Sequence, residues 1–258
     1  MKCDLKKLMA EAKPAETSKG LKIFKKAIRF LDSMIDKGLL LLCILVFLMG
    51  SYALYDSYRV YTDAVDNDIL KFKPGYDNEG EELDKQIEGF MAAWITMDGS
   101  DIDYPVMQGE DNSEYLSKDP FGEYSLAGSI FLDARNNPAF MDDYSLIYGH
   151  HMEHGMMFGA LDAWLDREYC DEHRDGELIV GDVTYKLKVF AIVESEATRE
   201  ELFSPTEVDK GTVLGYITEH AKILYEEDIP KEEQIVALST CKFPDTAERT
   251  IVVCKLLK

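Results

Sequence analysis

Cationic residues are scarce in most of this 258-residue sequence. Residues 1–37 hold ten Lys and Arg against five Asp and Glu, whereas the rest of the chain holds 18 against 44, and the formal net charge is −21. Because an acidic surface repels phosphates, the composition argues against a nucleic-acid-binding protein. The hydrophobic content of 46% is sufficient for the core of one large domain with an appendage.

Cysteine is also rare. The chain has five cysteines, and Cys170, Cys241 and Cys254 are the three that follow its single long apolar run. Exported domains that are stabilised by disulfides usually have a dense and even set of cysteines. The odd set of three therefore predicts at least one free thiol.

Only one long apolar run is present, at residues 39–55 (LLLLCILVFLMGSYALY), and it contains no charge. Its seventeen residues are just long enough to cross a hydrocarbon core of ~30 Å as a helix. The preceding cations predict a single-pass protein of the cell membrane, with a cytoplasmic N-terminus and an extracellular C-terminal body. A cleavable signal peptide is the alternative, because Ser51-Tyr52-Ala53 has the small-x-small pattern of a cleavage site.

These features divide the chain into four predicted segments. Residues 1–37 form a basic cytoplasmic segment, residues 38–55 a transmembrane anchor, and residues 56–88 a polar, partly helical stalk that packs on the following domain. Residues 89–258 form the main domain, without internal repeats or low-complexity tracts.

After residue 90 the sequence changes to short β-type runs bounded by Gly, Asp, Asn and Pro. Gly181-Asp182 separates two of these runs and predicts a two-residue hairpin turn, and only residues 156–167 and 205–226 have helical spacing. Many strands with few helices predict a mainly β fold with a closed or nearly closed barrel. The eight runs are MAAWITM, IDYPVM, GSIFLD, YSLIYGH, ELIV, VTYKLKVFAIV, QIVALSTC and TIVVCKLL.

Two residues at predicted strand ends form a candidate catalytic pair. Cys241 ends the run QIVALSTC, and the nearby cations Lys242 and Arg249 favour a thiolate. His150 ends the run YSLIYGH, and two strand ends on one rim of a barrel can meet although they are 91 positions apart. A thiolate and an imidazole are a standard nucleophile and acid–base pair, and Arg249 with backbone amides could stabilise the oxyanion.

The other two thiols of the C-terminal body are predicted to be unreactive. Cys254 lies among valines and leucines, where cysteine is usually a small buried hydrophobe. Cys170 lies in REYCDEH, and we expect its acidic neighbours to raise the pKa of the thiol.

His150, His151 and His154 could instead bind a metal ion. Their His-His-x-x-His spacing differs from the HExxH helix of zinc enzymes, and Gly149 and Gly155 predict sharp turns of the backbone. We therefore expect His151 and His154 only to flank the site, with no metal or other cofactor.

Six sequence blocks resemble those of class B sortases, and together they cover about residues 90–258. The resemblance implies an eight-stranded sortase-type β-barrel with N-terminal helices and a long helix before the penultimate strand, preceded by one transmembrane helix. The blocks are YPVMQGEDNSEYL (104–116), AGSIFLDARN (127–136), SLIYGHHM (145–152), MFGAL (157–161), LSTC (238–241) and RTIVVCK (249–255).

The resemblance also implies the activity of a cysteine transpeptidase. Such an enzyme cleaves a C-terminal sorting signal after threonine, holds the protein as a thioester and transfers it to an amine. The implied partners are surface proteins that carry the sorting signal, together with a peptidoglycan precursor amine or a pilin lysine as the acceptor.

Motif positions carry functional residues over to this sequence. The resemblance implies His150 as the catalytic histidine, Cys241 as the nucleophile that forms the thioester, and Arg249 as the arginine that orients substrate or stabilises the oxyanion. The implied substrate-binding residues are Asn112, Leu116, Tyr148, Thr198, Leu202, Phe203 and Ser239.

The sequence departs from the class B pattern directly after Cys241. Some members have an acidic residue one or two positions after the cysteine, whereas this chain has Lys242 and Phe243, with Asp245 further on. A carboxylate helper is therefore not expected.

Two other functions use the same features. A cysteine protease or amidase would release the peptide to water through the same residues, and an amine acceptor would distinguish it from a transpeptidase. A noncatalytic surface adaptor would use the barrel alone, and its function would survive Cys241→Ala.

Overall fold

A computed structural model describes residues 19–64, 67–76, 87, 90–241 and 248–258 of the chain. The chain divides into two compact units, one ending at Ser57 and the other beginning at Tyr58.

The first unit consists of most of helix α1, Lys19–Ala64, which has 46 residues. The helix is uninterrupted because its sequence contains no proline and is rich in Leu, Ile, Ala and Lys. Within it, Lys19–Tyr58 is long and apolar enough to cross a membrane, and its most apolar 18-residue window has a mean hydropathy of 2.2. The helix thus extends beyond the predicted anchor at both ends.

A sheet of nine strands forms the second unit, in the order β5-β1-β2-β3-β4-β8-β9-β6-β7. An additional pairing between β5 and β6 closes eight of the strands into a barrel. The predicted eight-stranded barrel is therefore confirmed, and β7 is a ninth, short strand. The strands are β1 (Phe90–Met97), β2 (Asp103–Gln108), β3 (Ile130–Leu132), β4 (Tyr144–Gly149), β5 (Asp175–Val180), β6 (Val183–Glu196), β7 (Ala221–Leu224), β8 (Gln234–Cys241) and β9 (Glu248–Leu257).

Short helices connect the strands. The α-helices after α1 are α2 (Arg167–Glu172), α3 (Glu200–Phe203) and α4 (Lys210–His220), and the 3-10 helices are Asn67–Phe72, Glu114–Leu116, Glu153–Gly155 and Phe158–Leu165.

The predicted helix at residues 205–226 is only partly correct. α4 begins after Asp209, whose side chain accepts a hydrogen bond from the backbone N–H of Thr212, and it ends at His220. Residues 221–224 form β7 instead, and Ile223 of β7 pairs with Ile192 of β6. Pairing with the free edge of β6 outweighs the local helical spacing.

The other predicted helical segments are shorter than expected. Residues 156–167 contain the 3-10 helix Phe158–Leu165, and α2 starts separately after its N-cap Asp166, which accepts hydrogen bonds from two backbone N–H groups. In the predicted stalk, the 3-10 helix Asn67–Phe72 places Ile69 against Trp94 and Phe121 of the barrel unit. The hairpin turn at Gly181-Asp182 is confirmed, because Val180 pairs directly with Val183.

The central strands are apolar on both faces. Leu238 and Val252 lie in the barrel interior, whereas Ala237 and Val253 belong to an outer cluster that includes residues of α4. Because alternate residues of a strand point to opposite faces, burial on both faces requires a continuous apolar run such as QIVALSTC. This double burial fixes the register that places the ends of β4, β8 and β9.

Candidate active site

Strand register brings the three predicted catalytic residues to one rim of the barrel. β4 and β8 are parallel, and Gly149 pairs with Thr240, so that His150 and Cys241 directly follow a paired position. β8 and β9 are antiparallel, and Cys241 pairs with Arg249. The backbone therefore places His150, Cys241 and Arg249 on three adjacent strand ends.

A groove of about 340 Å³ lies at this rim, on the outer face of the barrel. Its wall contains Tyr148 and Ser239, which pair across β4 and β8 two positions before the histidine and the cysteine. The lining residues are Asn112, Leu116, Phe131, Arg135, Tyr148, Gly149, His150, Ala197, Phe203, Ser239, Thr240 and Arg249.

The imidazole of His150 is held by the opposite wall of the groove. Its Nε2 lies 2.7 Å from the backbone carbonyl oxygen of Leu116. A carbonyl oxygen can only accept a hydrogen bond, so Nε2 is the donor and carries a proton. In the neutral ring, Nδ1 is then the basic nitrogen.

Arg249 brings to the groove a guanidinium group with one nitrogen that makes no hydrogen bond within the described part of the chain. Its Nη1 is buried and has no hydrogen-bond partner among the residues that the structure describes. Burial lowers the pKa of Arg249, and the nearby Tyr148 opposes this effect, but an arginine stays charged in proteins. The Oγ of Ser239 is also buried and has no partner in the described part of the chain. Two polar groups at the groove are therefore available to a ligand.

A buried carboxylate, Asp133, organises the wall beside His150. Its Oδ2 accepts hydrogen bonds from Asn112 Nδ2 at 2.9 Å and from the hydroxyl of Tyr148 at 3.0 Å. Arg135 donates to both carboxylate oxygens through Nε and Nη2, at 2.9 and 2.8 Å. One carboxylate thus fixes three side chains that line the groove.

The same network determines the ionisation of these groups. Burial alone would raise the pKa of Asp133, but the hydrogen bonds from Arg135 and Asn112 and the charge of Arg135 hold this pKa below its ordinary value. Burial and the neighbouring carboxylate raise the pKa of Tyr148. Tyr148 is therefore a neutral hydrogen-bond donor beside a permanent anion.

Arg135 also connects this wall to the segment between β6 and β7. Its Nη2 donates to the backbone carbonyl oxygen of Phe203 at 2.6 Å. Phe203 ends α3 and lines the groove. The position of α3 above the groove is therefore linked to Asp133 through one guanidinium.

Five of the seven predicted substrate-binding residues line the groove: Asn112, Leu116, Tyr148, Phe203 and Ser239. The other two do not. Leu202 is fully buried in the outer core cluster, because it lies on the inward side of α3. Thr198 is exposed, and its hydroxyl donates to Glu196 at 3.3 Å, while its neighbour Ala197 reaches the groove.

Asp133 and Arg135 were not among the predicted site residues. The signal was present in the block GSIFLDARN, where an acid and a base two positions apart follow a buried apolar run. That pattern also fits an ordinary turn at a strand end, and only the three-dimensional contacts distinguish the two interpretations.

Gly149 and Gly155 are required for different reasons. Gly155 has φ of +72°, which confirms the predicted sharp turn. Gly149 lies within β4, and there a Cβ atom would clash with Ile130 Cδ1 and lie 2.7 Å from Phe158 Cγ. The prediction of a turn at Gly149 is wrong, because the glycine allows close packing beneath His150.

His151 takes part in a second polar contact behind the groove. Its Nε2 lies 2.8 Å from Asp162 Oδ2, and the other oxygen of Asp162 accepts from the hydroxyl of Thr250. Asp162 thus links His151 to Thr250 of β9. Among the described residues, no group of three or more His, Cys, Asp and Glu side chains could hold a metal ion.

Both remaining thiols of the barrel unit are buried. Burial strongly raises the pKa of Cys254, which agrees with the prediction of an inert thiol. The pKa of Cys170 is also raised, but burial is the main cause and the acidic neighbour Asp171 contributes less. The predictions for Lys242, Phe243 and Asp245 concern residues outside the described part of the chain.

The sequence matches the sortase domain family over residues 95–257. A sortase B from Listeria monocytogenes is 32% identical over 155 residues, which cover 58% of this chain and 62% of that protein. The matched region thus spans less than two thirds of the Listeria protein.

Two solved structures resemble the barrel unit. Spy0129, a class B sortase of Streptococcus pyogenes involved in pilus biogenesis, has a TM-score of 0.59 and 38% identity, and covers 64% of this chain and 90% of that chain. A substrate complex of Staphylococcus aureus sortase B has a TM-score of 0.60 and 28% identity, and covers 65% and 80%.

Proposed function

This chain belongs to the sortase family, with class B members as its neighbours, and we propose that it is a cysteine transpeptidase anchored in the membrane by α1. Its substrate is a surface protein with a C-terminal sorting signal, which it cleaves after threonine. Its second substrate is an amine of the cell wall or of a pilin.

In the first step, the Cys241 thiolate attacks the carbonyl carbon of the threonine in the sorting signal. The carbon–nitrogen bond breaks, a thioester forms, and protonated His150 donates a proton to the leaving amine. The unused Nη1 donor of Arg249 stabilises the negative oxygen of the tetrahedral intermediate.

In the second step, the acceptor amine attacks the thioester. Neutral His150 takes a proton from the incoming nitrogen, an amide bond forms, and the carbon–sulfur bond breaks to release Cys241 as a thiolate. Each cycle therefore returns both residues to their starting charges.

One observation carries this proposal. The paired positions Gly149–Thr240 and Cys241–Arg249 put the backbones of His150, Cys241 and Arg249 at three neighbouring strand ends, and His150 and Arg249 line one groove. This arrangement supports the roles that we propose for the three residues. The Asp133 network supports it, because it keeps Asn112 and Tyr148 in fixed positions along the same groove.

The proposed orientation has the N-terminal segment in the cytoplasm and the barrel outside the cell. The basic residues before the apolar run support this orientation through the positive-inside bias. Protease added to intact cells would then degrade the barrel, whereas an epitope at the N-terminus would resist until the cells are opened.

An amine-transfer assay tests the activity. The unit from Tyr58 to Lys258 is incubated with a panel of sorting-signal peptides and an oligoglycine or lysine acceptor, and products are read by mass. We expect a ligated product from wild type and from Cys254→Ala, and none from Cys241→Ala. Hydrolysis without ligation would favour the protease or amidase, and a folded but inactive wild type would favour the adaptor.

A further inference from the structure

The first half of α1 has two chemically distinct faces. At 100° per residue, the five cations of residues 19–29 fall within an arc of about 120°. These residues are Lys19, Lys22, Lys25, Lys26 and Arg29. Over residues 19–37 the balance is six Lys and Arg against two Asp, which gives a net positive charge.

The opposite arc of about 180° is apolar. Its large side chains are exposed, for example Phe24 at 63%, Phe30 at 65% and Ile35 at 65%. The apolar residues on this arc are Leu21, Ile23, Phe24, Ile28, Phe30, Leu31, Met34 and Ile35.

This segment cannot lie inside the hydrocarbon core together with the apolar run that follows it. A helix of 46 residues is about 69 Å long, whereas the core is only ~30 Å thick. The uncharged run at 39–55 is about 26 Å long as a helix and leaves room for only about three more residues, so most of residues 19–37 lie outside the core. Exposure of eight large apolar side chains to water is unfavourable, so we expect this face to be buried against an apolar partner.

A bilayer surface suits both faces better than a second copy of the helix. A paired coiled coil buries a narrow stripe, whereas this apolar face covers about half of the helix circumference. The basic stripe also needs an anionic partner, and like-charged stripes of two copies would repel each other. Anionic headgroups beside an acyl boundary satisfy the charge and the apolar face together.

We propose that residues 19–37 of α1 lie in the plane of the membrane surface and bind anionic phospholipid headgroups through the basic stripe. α1 runs without a break through Gly38 in the structure, and the proposal requires a bend of the helix at the membrane surface. Gly38 separates this segment from the apolar run and is where a bend costs least, because glycine is the weakest helix former after proline. This inference rests on the proposed membrane anchoring.

Tryptophan reporters in the full-length chain test the proposal. Phe24→Trp places the reporter on the apolar face of the segment, and Phe47→Trp places it in the apolar run. Each protein is reconstituted into vesicles of brominated phosphatidylcholine, with or without an equal part of phosphatidylglycerol, and quenching of the new tryptophan is measured. Trp94 and Trp164 are buried in the barrel unit, so the wild-type chain gives the background.

We expect Phe24→Trp to be quenched strongly in anionic vesicles and less in neutral ones. Adding Lys25→Gln, Lys26→Gln and Arg29→Gln should weaken the binding of residues 19–37 to the anionic membrane surface about fivefold for each neutralised residue. Added salt should weaken this binding as well. The control neutralises three exposed barrel lysines, Lys186, Lys231 and Lys258, and should leave quenching unchanged.

The possible outcomes separate this inference from the anchoring on which it rests. If Phe47→Trp is quenched but Phe24→Trp is not, the span is inserted and the in-plane segment is overturned. If quenching of Phe24→Trp changes neither with lipid charge nor with the three Gln substitutions, the segment does not bind anionic headgroups and that part of the proposal is contradicted. An unquenched Phe47→Trp would overturn the anchoring itself.

Discussion

At the residue scale, one buried carboxylate holds much of the groove wall in place. Asp133 is fully buried and accepts hydrogen bonds from Asn112, Arg135 and Tyr148 at the same time. Its position therefore depends on all three partners. The position of His150 and Cys241 at neighbouring strand ends was predictable, because each residue ends an apolar run. The role of Asp133 was not, because its partners come from separate elements and a local pattern cannot show their convergence.

Arg249→Lys tests whether the free guanidinium donor matters. Lysine keeps the positive charge but has no planar fork and cannot place two donors as arginine does. We expect kcat for amine transfer to fall by about 10²–10³-fold, as for loss of one oxyanion donor. Arg174→Lys is the control, because Arg174 is half-buried and binds the carbonyl oxygen of Val189 away from the groove. Equal losses in both variants would contradict a specific role for Arg249.

Asp133→Asn tests the buried carboxylate. Removal of the charge leaves Arg135 without its ion-pair partner. We expect the free energy of unfolding to fall by about 3 kcal/mol, which is the lower end of the range for a broken buried ion pair. The lower end applies because Arg135 is 36% exposed. Asp175→Asn is the control, since Asp175 forms an exposed pair with Lys188, and a loss below about 1 kcal/mol is expected.

The stability difference between wild type and Asp133→Asn should depend on pH. Because the pKa of Asp133 is held below its ordinary value in the folded state, its contribution is present above the unfolded value of about 4 and is lost as pH falls through the folded value. Urea unfolding at neutral and acid pH should show a difference that narrows on acidification. A difference that grows in acid would contradict the assignment.

At the element scale, burial on both faces made β4, β6, β8 and β9 predictable from continuous apolar runs. β7 was missed because AKIL continues the helical spacing of α4, and only the free edge of β6 turns it into a strand. A second error of this kind concerns α3. Both Leu202 and Phe203 were predicted to bind substrate, but only Phe203 lines the groove, and Leu202 lies in the outer core cluster.

Gly149→Ala tests the packing of β4 beneath His150. The added methyl would clash with Ile130 and crowd Phe158, so we expect a loss of about 1–3 kcal/mol in unfolding free energy and reduced transfer activity. Gly215→Ala in α4 is the matched control, because beyond its own helix backbone no atom lies within 4 Å of its added Cβ and helix propensity improves by up to about 1 kcal/mol. Similar stability of both variants would show that Gly149 is not tightly packed.

At the scale of the whole molecule, the parallel pairing of β4 with β8 assembles the site. β8 and β9 are consecutive strands that bring Cys241 beside Arg249, whereas His150 follows β4 and lies 91 positions before Cys241 in the sequence. The eight-stranded barrel followed from sequence runs and family resemblance together, whereas the order of its strands was not predicted. The exact shape of the groove could not be predicted, because several of its lining residues lie on the connections between strands, for example Asn112, Arg135 and Phe203.

The most direct measurement is the intact mass of the barrel unit during reaction with a cleavable sorting-signal peptide and no amine. We expect an adduct with the mass of the N-terminal peptide fragment on Cys241, released by hydroxylamine as a thioester would be. The adduct should also form in Cys254→Ala and be absent from Cys241→Ala. Peptide cleavage by wild type without any adduct, or an adduct that persists in Cys241→Ala, would contradict the account.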